Sequence, residues 1–208
     1  MPKPHILVVG GGAAGLIAAG TAAENGASVT VAERNPRMAR KVMITGKGRC
    51  NLTNCCDVAT LIANVPRNPR FLYSAFNAFT PQDMMALIEA QGVPLKVERG
   101  NRVFPVSDKA VDVVDALVRF ARDKGVHFTH GRVKHLCLTD GCCTGVTLES
   151  GETLTADAVI LATGGMSYPQ TGSEGDGYAL AREAGHTVIE PRPSLVPLTS
   201  SDGYCAAM

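Results

Sequence analysis

The sequence predicts an α/β domain in which a parallel central sheet is joined by a three-stranded antiparallel meander. One indication is the apolar run 5–9, which the glycine-rich turn Gly10–Gly15 follows directly. Short continuous apolar runs are typical of strands buried on both faces of a parallel sheet. A second indication is the stretch 133–155, in which turn signals at 139–141 and 150–151 separate three strand-like segments. Such punctuation is typical of antiparallel strands joined by tight turns.

The composition is that of a globular protein with a nearly neutral surface. The 208 residues are 45% hydrophobic and 19% charged, and the formal charge is +1. Without a basic field, we expect no binding to nucleic acid through bulk electrostatics. The aromatic content of 5% also argues against a platform on which bases stack.

Two further features bear on the cellular compartment. The seven cysteines include no CxxC pair, which favours packing roles in a reducing cytosol over a thiol redox pair or a zinc site. The uncharged stretch 4–23 contains five glycines, so it is interpreted as a buried strand and helix rather than a membrane span. We therefore expect a cytoplasmic protein with no membrane partner.

The N-terminal part of the chain predicts a βαβ unit. A helix of small residues is predicted over 14–24, and a second strand over 27–32 ends at Glu33. The following segment 34–54 is polar and aperiodic, and a structureless segment of this length usually indicates either a functional loop or an error in the assignment of elements.

The remaining elements are predicted from capping signals and apolar patterns. Helices are expected over 69–79 and 81–91, the second with a capping box formed by Thr80 and Asp83. Ser107 is expected to cap a further helix that runs to Lys124. The expected strands are 126–129 as a third parallel strand, then 133–138, 145–149 and 152–155 as the meander, and 158–162 as a last central strand.

The glycine turn has the spacing GxGxxG between a strand and a helix. Gly10 permits the tight turn, Gly12 lets the backbone approach a pyrophosphate, and Gly15 lets the helix pack on the strand. Glu33, at the end of the next strand, can accept hydrogen bonds from both ribose hydroxyls and disfavours a 2′-phosphate, so NADP is not expected at this site. The unit therefore predicts a Rossmann-like dinucleotide site, with contacts from Gly10, Gly12, Ala13, Ala14, Gly15, Glu33 and Arg34. FAD and NAD share the ADP half, so this motif leaves both open.

Several longer motifs resemble one family. The segment Arg40–Asn54, which contains Gly-Lys-Gly-Arg-Cys-Asn-Leu-Thr-Asn, closely resembles a signature of the BaiN-like FAD-dependent oxidoreductases. The resemblance continues through 101–105, 164–178 and 193–198, with Ala39 as a departure where relatives usually have Gly. The meander and the Ala-Thr-Gly-Gly turn after the last strand resemble the glutathione-reductase-type FAD domain.

The resemblance implies FAD as the cofactor and extends the predicted site. Arg40 and Lys41 are expected to neutralise the diphosphate, the alternative being two solvated surface charges. The glycines of the signature allow close backbone approach, its polar side chains can bind phosphate or flavin edges, and Cys50 is expected to pack. Asp176 is expected either to belong to a cofactor-binding glycine turn or to cap a helix. The added contacts are Arg40, Lys41, Gly46, Gly48, Arg49, Asn51, Val133 through its backbone, Thr163, Gly164, Gly165 and Asp176.

The implied function is FAD-dependent hydride transfer with NAD(P)H as electron donor, and the family resemblance implies reduction of an activated C=C bond in a small-molecule substrate. A non-catalytic dinucleotide-binding module and an RNA-modifying flavoprotein are the alternatives, the latter disfavoured by the neutral charge. The five histidines have no metal-ligand spacing, so no metal is expected, and no residue order indicates hydrolysis.

The family resemblance also bears on domain organisation, because relatives are longer than this chain. Residues 1–198 are predicted to form an incomplete FAD-binding domain, and 199–208 to begin a substrate or C-terminal region. We therefore expect this chain alone to bind FAD weakly or not at all, to self-associate through exposed apolar surface, and to lack turnover with NAD(P)H. The substrate, the catalytic acid and the native oligomeric state stay open.

Overall fold

The structure is a computed structural model that describes residues 2–193. Residues 194–198 of the last family-like segment, and the predicted region 199–208, lie outside the described residues. In chain order the strands are β1 (His5–Val9), β2 (Ser28–Glu33), β3 (Thr53–Asn54), β4 (Leu95–Glu98), β5 (Arg102–Pro105), β6 (His127–His130), β7 (Val133–Thr139), β8 (Cys142–Leu148), β9 (Thr153–Thr155) and β10 (Ala158–Leu161). The α-helices are α1 (Ala13–Glu24), α2 (Arg40–Ile44), α3 (Val58–Ala63), α4 (Tyr73–Ala78), α5 (Pro81–Ala90), α6 (Ala110–Asp123) and α7 (Asp176–Glu183), with short 3₁₀ turns at Thr45–Gly48, Pro69–Leu72 and Pro169–Thr171.

The central sheet has four parallel strands in the order β10-β1-β2-β6. Successive side chains of β1 point to opposite faces of the sheet, as the period of a strand requires. Val8 lies in the core that α1 and α6 cover, with Leu16 and Leu117 fully buried beside it. Leu7 and Val9 lie in a second core, which the meander and α7 cover. The sheet is therefore sandwiched, and the predicted α/β class is confirmed.

The meander is also confirmed. Strands β7, β8 and β9, which lie between β6 and β10 in the sequence, form a separate antiparallel sheet. Strand β8 begins three residues before the predicted position. Gly145 is needed inside β8 because a Cβ there would lie 2.9 Å from the Thr155 Cα. The predicted capping box of α5 is present as well, with Thr80 and Asp83 exchanging side-chain and backbone hydrogen bonds.

Three expectations need correction. The segment 34–54 contains α2, a 3₁₀ turn and β3, elements too short to produce a recognisable period in the sequence. Helix α6 begins at Ala110 rather than after Ser107, because Asp108 has a left-handed backbone (φ 56°) that interrupts the helix start, and the Ser107 hydroxyl donates to Asp112 instead. The strand at 158–161 is an edge strand of the described sheet and is only partly buried.

A second antiparallel sheet, in the order β3-β5-β4, was not predicted. It links two of the family-like segments, since β3 is the end of the signature segment 40–54 and β5 lies in 101–105, where Val103 and Phe104 are both buried. Its strands are two to four residues long, so the sequence shows no period by which to recognise them.

Candidate dinucleotide-binding site

A cavity of about 570 Å³ opens at the carboxyl ends of the parallel strands. Val9 ends β1, Glu33 ends β2 and Leu161 ends β10, and all three line the cavity. Ligands of open α/β sheets bind at this edge, where the strand order reverses, and the volume is within the range of small-molecule sites.

The two glycines that flank the start of α1 differ in their surroundings. A Cβ added to Gly12 would meet no heavy atom within 4 Å, and Gly12 lines the cavity at the N-cap of α1 without a side-chain cap. A Cβ on Gly15 would instead collide with the carbonyl oxygen of Gly10 and lie 3.4 Å from the Ala162 Cβ. Gly12 therefore leaves open space in front of the positive end of the helix dipole, whereas Gly15 permits close packing.

Glu33 is 7% exposed and organises the glycine turn. Its Oε2 accepts a hydrogen bond from the Gly11 amide at 2.6 Å, and its Oε1 accepts from the backbone and side-chain nitrogens of Asn35 at 2.7 and 2.6 Å. A carboxylate has about four acceptor positions, so roughly one remains for a ligand hydroxyl. A second ligand hydroxyl would have to displace the Asn35 side chain.

Two cations of the signature segment, Arg40 and Lys41, line the same cavity. Arg40 donates to Asn35 Oδ1 at 3.1 Å, and Lys41 donates to the Ser167 hydroxyl at 3.2 Å. Within residues 2–193 neither forms an ion pair with a carboxylate. Positive charge is therefore available beside the N-terminus of α1.

Arg34 and Arg132 hold two carboxylates at the cavity wall. Asp176 accepts from Arg34 at 3.1 Å and from Arg132 at 2.8 and 3.0 Å, while Glu174 pairs with both arginines at 3.0 Å. The hydrogen bond from Arg132 lowers the pKa of Asp176, and that from Arg34 lowers the pKa of Glu174. We name these four residues the Arg34 network. It fastens the segment before α7 to the ends of β2 and β6.

The position of Asp176 tests one of its two predicted roles, that of a helix cap. Gly175 occupies the N-cap of α7 with φ 89°, and Asp176 is the first helical residue with no side-chain cap hydrogen bond. The helix-capping alternative is therefore wrong. Asp176 lines the cavity, and a contact with FAD stays a prediction.

The structure brings most of the predicted contacts to one cavity. The predicted residues among its lining are Gly12, Ala13, Ala14, Glu33, Arg34, Arg40, Lys41, Val133, Thr163, Gly164 and Asp176. The predicted residues outside its lining are Gly10, Gly15, Gly46, Gly48, Arg49, Asn51 and Gly165. For this second group a cofactor contact also stays a prediction.

Among the lining residues with polar side chains, sequence reasoning missed five, Asn35, Thr45, Arg132, Thr171 and Ser173. Arg132 directly precedes Val133, so the resemblance that selected Val133 could have led to it. Thr171 and Ser173 are buried polar residues that lie far along the chain from the glycine turn. Only the fold brings Thr171 to Asn35, whose side-chain amide donates to the Thr171 carbonyl at 3.4 Å.

Other chemistry is limited in the described part of the chain. Cys50 is 4% exposed, burial raises the pKa of its thiol, and its predicted packing role is confirmed. Among residues 2–193 no group of three His, Cys, Asp or Glu side chains is placed to hold a metal ion. Across the same residues, no helix has the length and apolar character to span a membrane.

Four parallel strands, a glycine turn before a helix and a carboxylate at the end of the second strand define a Rossmann-type nucleotide-binding domain. Residues 4–200 match the HI0933-like protein Rossmann domain. The chain therefore belongs to the HI0933-like family, and its predicted relation to the BaiN-like FAD-dependent oxidoreductases is confirmed.

Two relatives illustrate the range of activities. A 3-dehydro-bile acid delta(4,6)-reductase from Clostridium scindens is 35% identical over 198 residues, which cover 93% of this chain and 47% of the reductase. A ribosomal RNA dihydrouridine synthase from Escherichia coli is 31% identical over 201 residues, which cover 96% of this chain and 49% of the synthase. The chain thus spans about half the length of these relatives.

Solved structures share the fold. A flavocytochrome c3 fumarate reductase in an open conformation superposes with a TM-score of 0.67 at 22% identity, over 88% of this chain and 40% of that chain. Mycobacterium smegmatis Sdh1 in complex with UQ1 gives 0.64 at 20% identity, over 88% of this chain and 38% of that chain. At these identities the likeness establishes the architecture alone.

Proposed function

We propose that the ADP half of FAD binds in the cavity at the carboxyl edge of the sheet, and that this chain alone holds the cofactor weakly. The observation that carries the proposal is the open space in front of Gly12, which faces the N-terminus of α1 and the cavity together. A pyrophosphate fits such a position because the first-turn amides and the helix dipole favour an anion. The family to which the chain belongs supports FAD over NAD.

Each lining residue then has a physical role. Glu33 accepts a ribose hydroxyl at its free acceptor position, and Arg40 and Lys41 place positive charge near the diphosphate. Val133, which is buried, offers its backbone to the adenine, while Thr163 and Gly164 form the wall after β10. Gly10 and Gly15 shape the turn that presents the helix N-terminus to the ligand.

For the whole protein we propose FAD-dependent reduction of a C=C bond conjugated to a carbonyl group, with NAD(P)H as electron donor. FAD, when bound, supplies hydride transfer at its flavin ring, and the protein positions the reactants. Two relatives' names support this chemistry: one is a delta(4,6)-reductase, and the other forms dihydrouridine, in which a conjugated C=C of uridine has become saturated. Small-molecule and RNA-borne substrates are both consistent with this reaction.

Binding is tested by titrating the 208-residue chain with FAD, ADP and NAD⁺ in a calorimeter. FAD and ADP should compete for one site, and NAD⁺ should bind more weakly than FAD. Binding of NAD⁺ with no binding of FAD or ADP would contradict the proposal, and so would FAD binding that ADP does not displace.

The reaction is tested on protein with bound FAD under anaerobic conditions. NADH or NADPH should bleach the flavin absorbance, and a conjugated enone should restore it whereas the saturated ketone should not. Absence of bleaching with either nucleotide would exclude NAD(P)H as the donor. Equal recovery with both ketones would exclude C=C reduction.

A further inference from the structure

One cation of the signature segment, Arg49, is not among the residues that line the cavity. Arg49 donates from Nε to Asp108 at 2.8 Å and also binds Glu98, and its guanidinium lies 4.2 Å from the centre of the Phe104 ring. Lys96 donates to the same Asp108 carboxylate at 2.8 Å. We name these five residues the Arg49 cluster. Two cations and two carboxylates balance its charge, and the guanidinium adds a cation–π contact.

Both carboxylates of the cluster are ionised at neutral pH. The hydrogen bond from Arg49 lowers the pKa of Glu98. The hydrogen bond from Lys96, and then that from Arg49, lowers the pKa of Asp108. Arg49 is therefore already paired, and a second role as a phosphate ligand would require it to leave two carboxylates.

The loop 45–50, which contains Arg49, has an unusual backbone. Gly46, Lys47, Gly48 and Cys50 have φ values of 55°, 58°, 85° and 61°. This left-handed region is unfavourable for residues with a Cβ, such as Lys47 and Cys50. A conformation of this kind persists only where surrounding contacts impose it.

The Arg49 cluster supplies such contacts. A Cβ on Gly46 would lie 3.1 Å from the Phe104 ring and 2.8 Å from the Asn51 nitrogen, so the loop lies directly against Phe104. Arg49 covers the same ring and joins it to β4 and to Asp108. At its other end the loop begins at Thr45, which lines the cavity immediately after the helix that contains Lys41.

We infer that Arg49 is a positioning residue, which holds the loop 45–50 against the sheet β3-β5-β4 so that Thr45 and Lys41 lie at the cavity wall. It acts through Glu98, Phe104 and Asp108 and does not bind the cofactor itself. This assignment differs from the expectation that Arg49 contacts phosphate or flavin. The effect of Arg49 on FAD affinity rests on the proposed function, whereas its effect on the loop 45–50 does not.

Amide hydrogen exchange on the cofactor-free chain tests the structural half of this inference. Arg49→Gln and Asp108→Asn should each accelerate exchange at 45–50, by roughly tenfold, because both release the same loop. Arg49→Lys keeps the charge but loses the planar guanidinium, so its exchange rate at 45–50 should lie between the rates of these variants and that of the wild type. Lys124→Gln, which breaks an ion pair with Glu24, is the matched control and should leave 45–50 unchanged. Wild-type exchange at 45–50 in both test variants would overturn the inference.

FAD affinity separates positioning from direct contact. Arg49→Gln and Asp108→Asn should weaken FAD binding by similar factors, roughly tenfold, and the double variant should be no weaker than either, because all three break one cluster. If Arg49 contacted FAD directly, Arg49→Gln would weaken FAD binding and Asp108→Asn would not. That result would overturn the inference. If the wild-type chain binds no FAD, the proposed function fails for this chain, and hydrogen exchange still decides the role of Arg49.

Discussion

Within the glycine turn, single residues have separable roles. Gly12 has an extended backbone (φ −75°, ψ −177°) that any residue can adopt, and its missing Cβ leaves ligand space. Gly15 is a helical residue whose missing Cβ leaves room for the Gly10 carbonyl. Substitution of Gly12 should therefore affect ligand binding, whereas substitution of Gly15 should affect the stability of the fold.

We predict that Gly12→Val folds with a melting temperature near that of the wild type but binds neither ADP nor FAD, because its side chain fills the pyrophosphate position. Gly15→Ala should instead destabilise the fold by about 1–3 kcal/mol, the usual cost of overpacking. Calorimetric titration and thermal melts measure both. Unchanged ADP affinity in Gly12→Val would place the dinucleotide elsewhere.

We predict that Glu33→Ala weakens ADP and FAD binding about ten- to a hundredfold, since a charge-assisted hydrogen bond contributes roughly 1.5–3 kcal/mol. Glu33→Gln should lose less, because its amide oxygen still accepts from Gly11. Glu24→Ala, at the opposite end of α1, is the control and should bind normally. The ribose assignment is wrong if all three variants bind ADP with equal affinity.

At the scale of elements, ionic side chains rather than apolar packing connect the segment before α7 to the sheet. Arg34 follows β2 and Arg132 follows β6, and both reach Glu174 and Asp176 across about 40 to 140 positions of sequence. Gly172 fits closely here, since a Cβ there would lie 3.3 Å from Arg34 Nε. The attachment of this segment should therefore depend on pH.

We predict that Asp176→Asn lowers the melting temperature at pH 7 by about 2–4 °C, the effect of losing about 1 kcal/mol in a domain of this size, for partly exposed ion pairs. The folded-state pKa of Asp176 lies below its ordinary value of 3.8, so this stability is present above that value and is lost as pH falls through the lowered pKa. The difference between variant and wild type should therefore shrink in acid.

Asp123→Asn is the control for this measurement, because Asp123 forms no ion pair with any described residue. Its melting temperature should follow that of the wild type at each pH. A difference between Asp176→Asn and wild type that stays constant from pH 7 down to the acid range would contradict an ionic attachment.

At the scale of the whole molecule, aromatic surface is unevenly distributed. Four of the ten Phe and Tyr residues lie within 71–79, and Phe71 and Tyr73 are 85% and 63% exposed. The low overall aromatic content of 5% therefore did not indicate that exposed aromatic rings are concentrated in this segment. Exposed apolar groups of this size favour association.

We predict that the chain self-associates at high concentration through this surface. Phe71→Ser with Tyr73→Ser should shift the sedimentation profile towards the monomer, because the double variant removes the exposed rings. Val97→Ser with Val106→Ser, at positions 50% and 52% exposed, is the control. Equal association in both double variants would show that other surfaces hold the copies together.

Sequence patterns predicted elements well where neighbours along the chain determine them. The strand, glycine turn and helix at 5–24 follow from local apolarity and steric need, as does the meander from its turn residues. Prediction failed where the structure depends on distant partners. The Arg49 cluster joins Arg49 to Glu98 and Asp108, which lie 49 and 59 residues further along the chain. Strands β3, β4 and β5 are too short to show a period.

The amino-acid pattern alone was enough to predict the parallel α/β class, the position of the glycine turn, Glu33 at the end of β2, and the family. Which cations of the signature segment face the cavity became evident from the folded structure. Arg40 and Lys41 line it, while Arg49 turns towards Glu98 and Asp108. The reason is physical: backbone pattern is encoded locally, but the direction of a long charged side chain depends on the partners that folding brings near it.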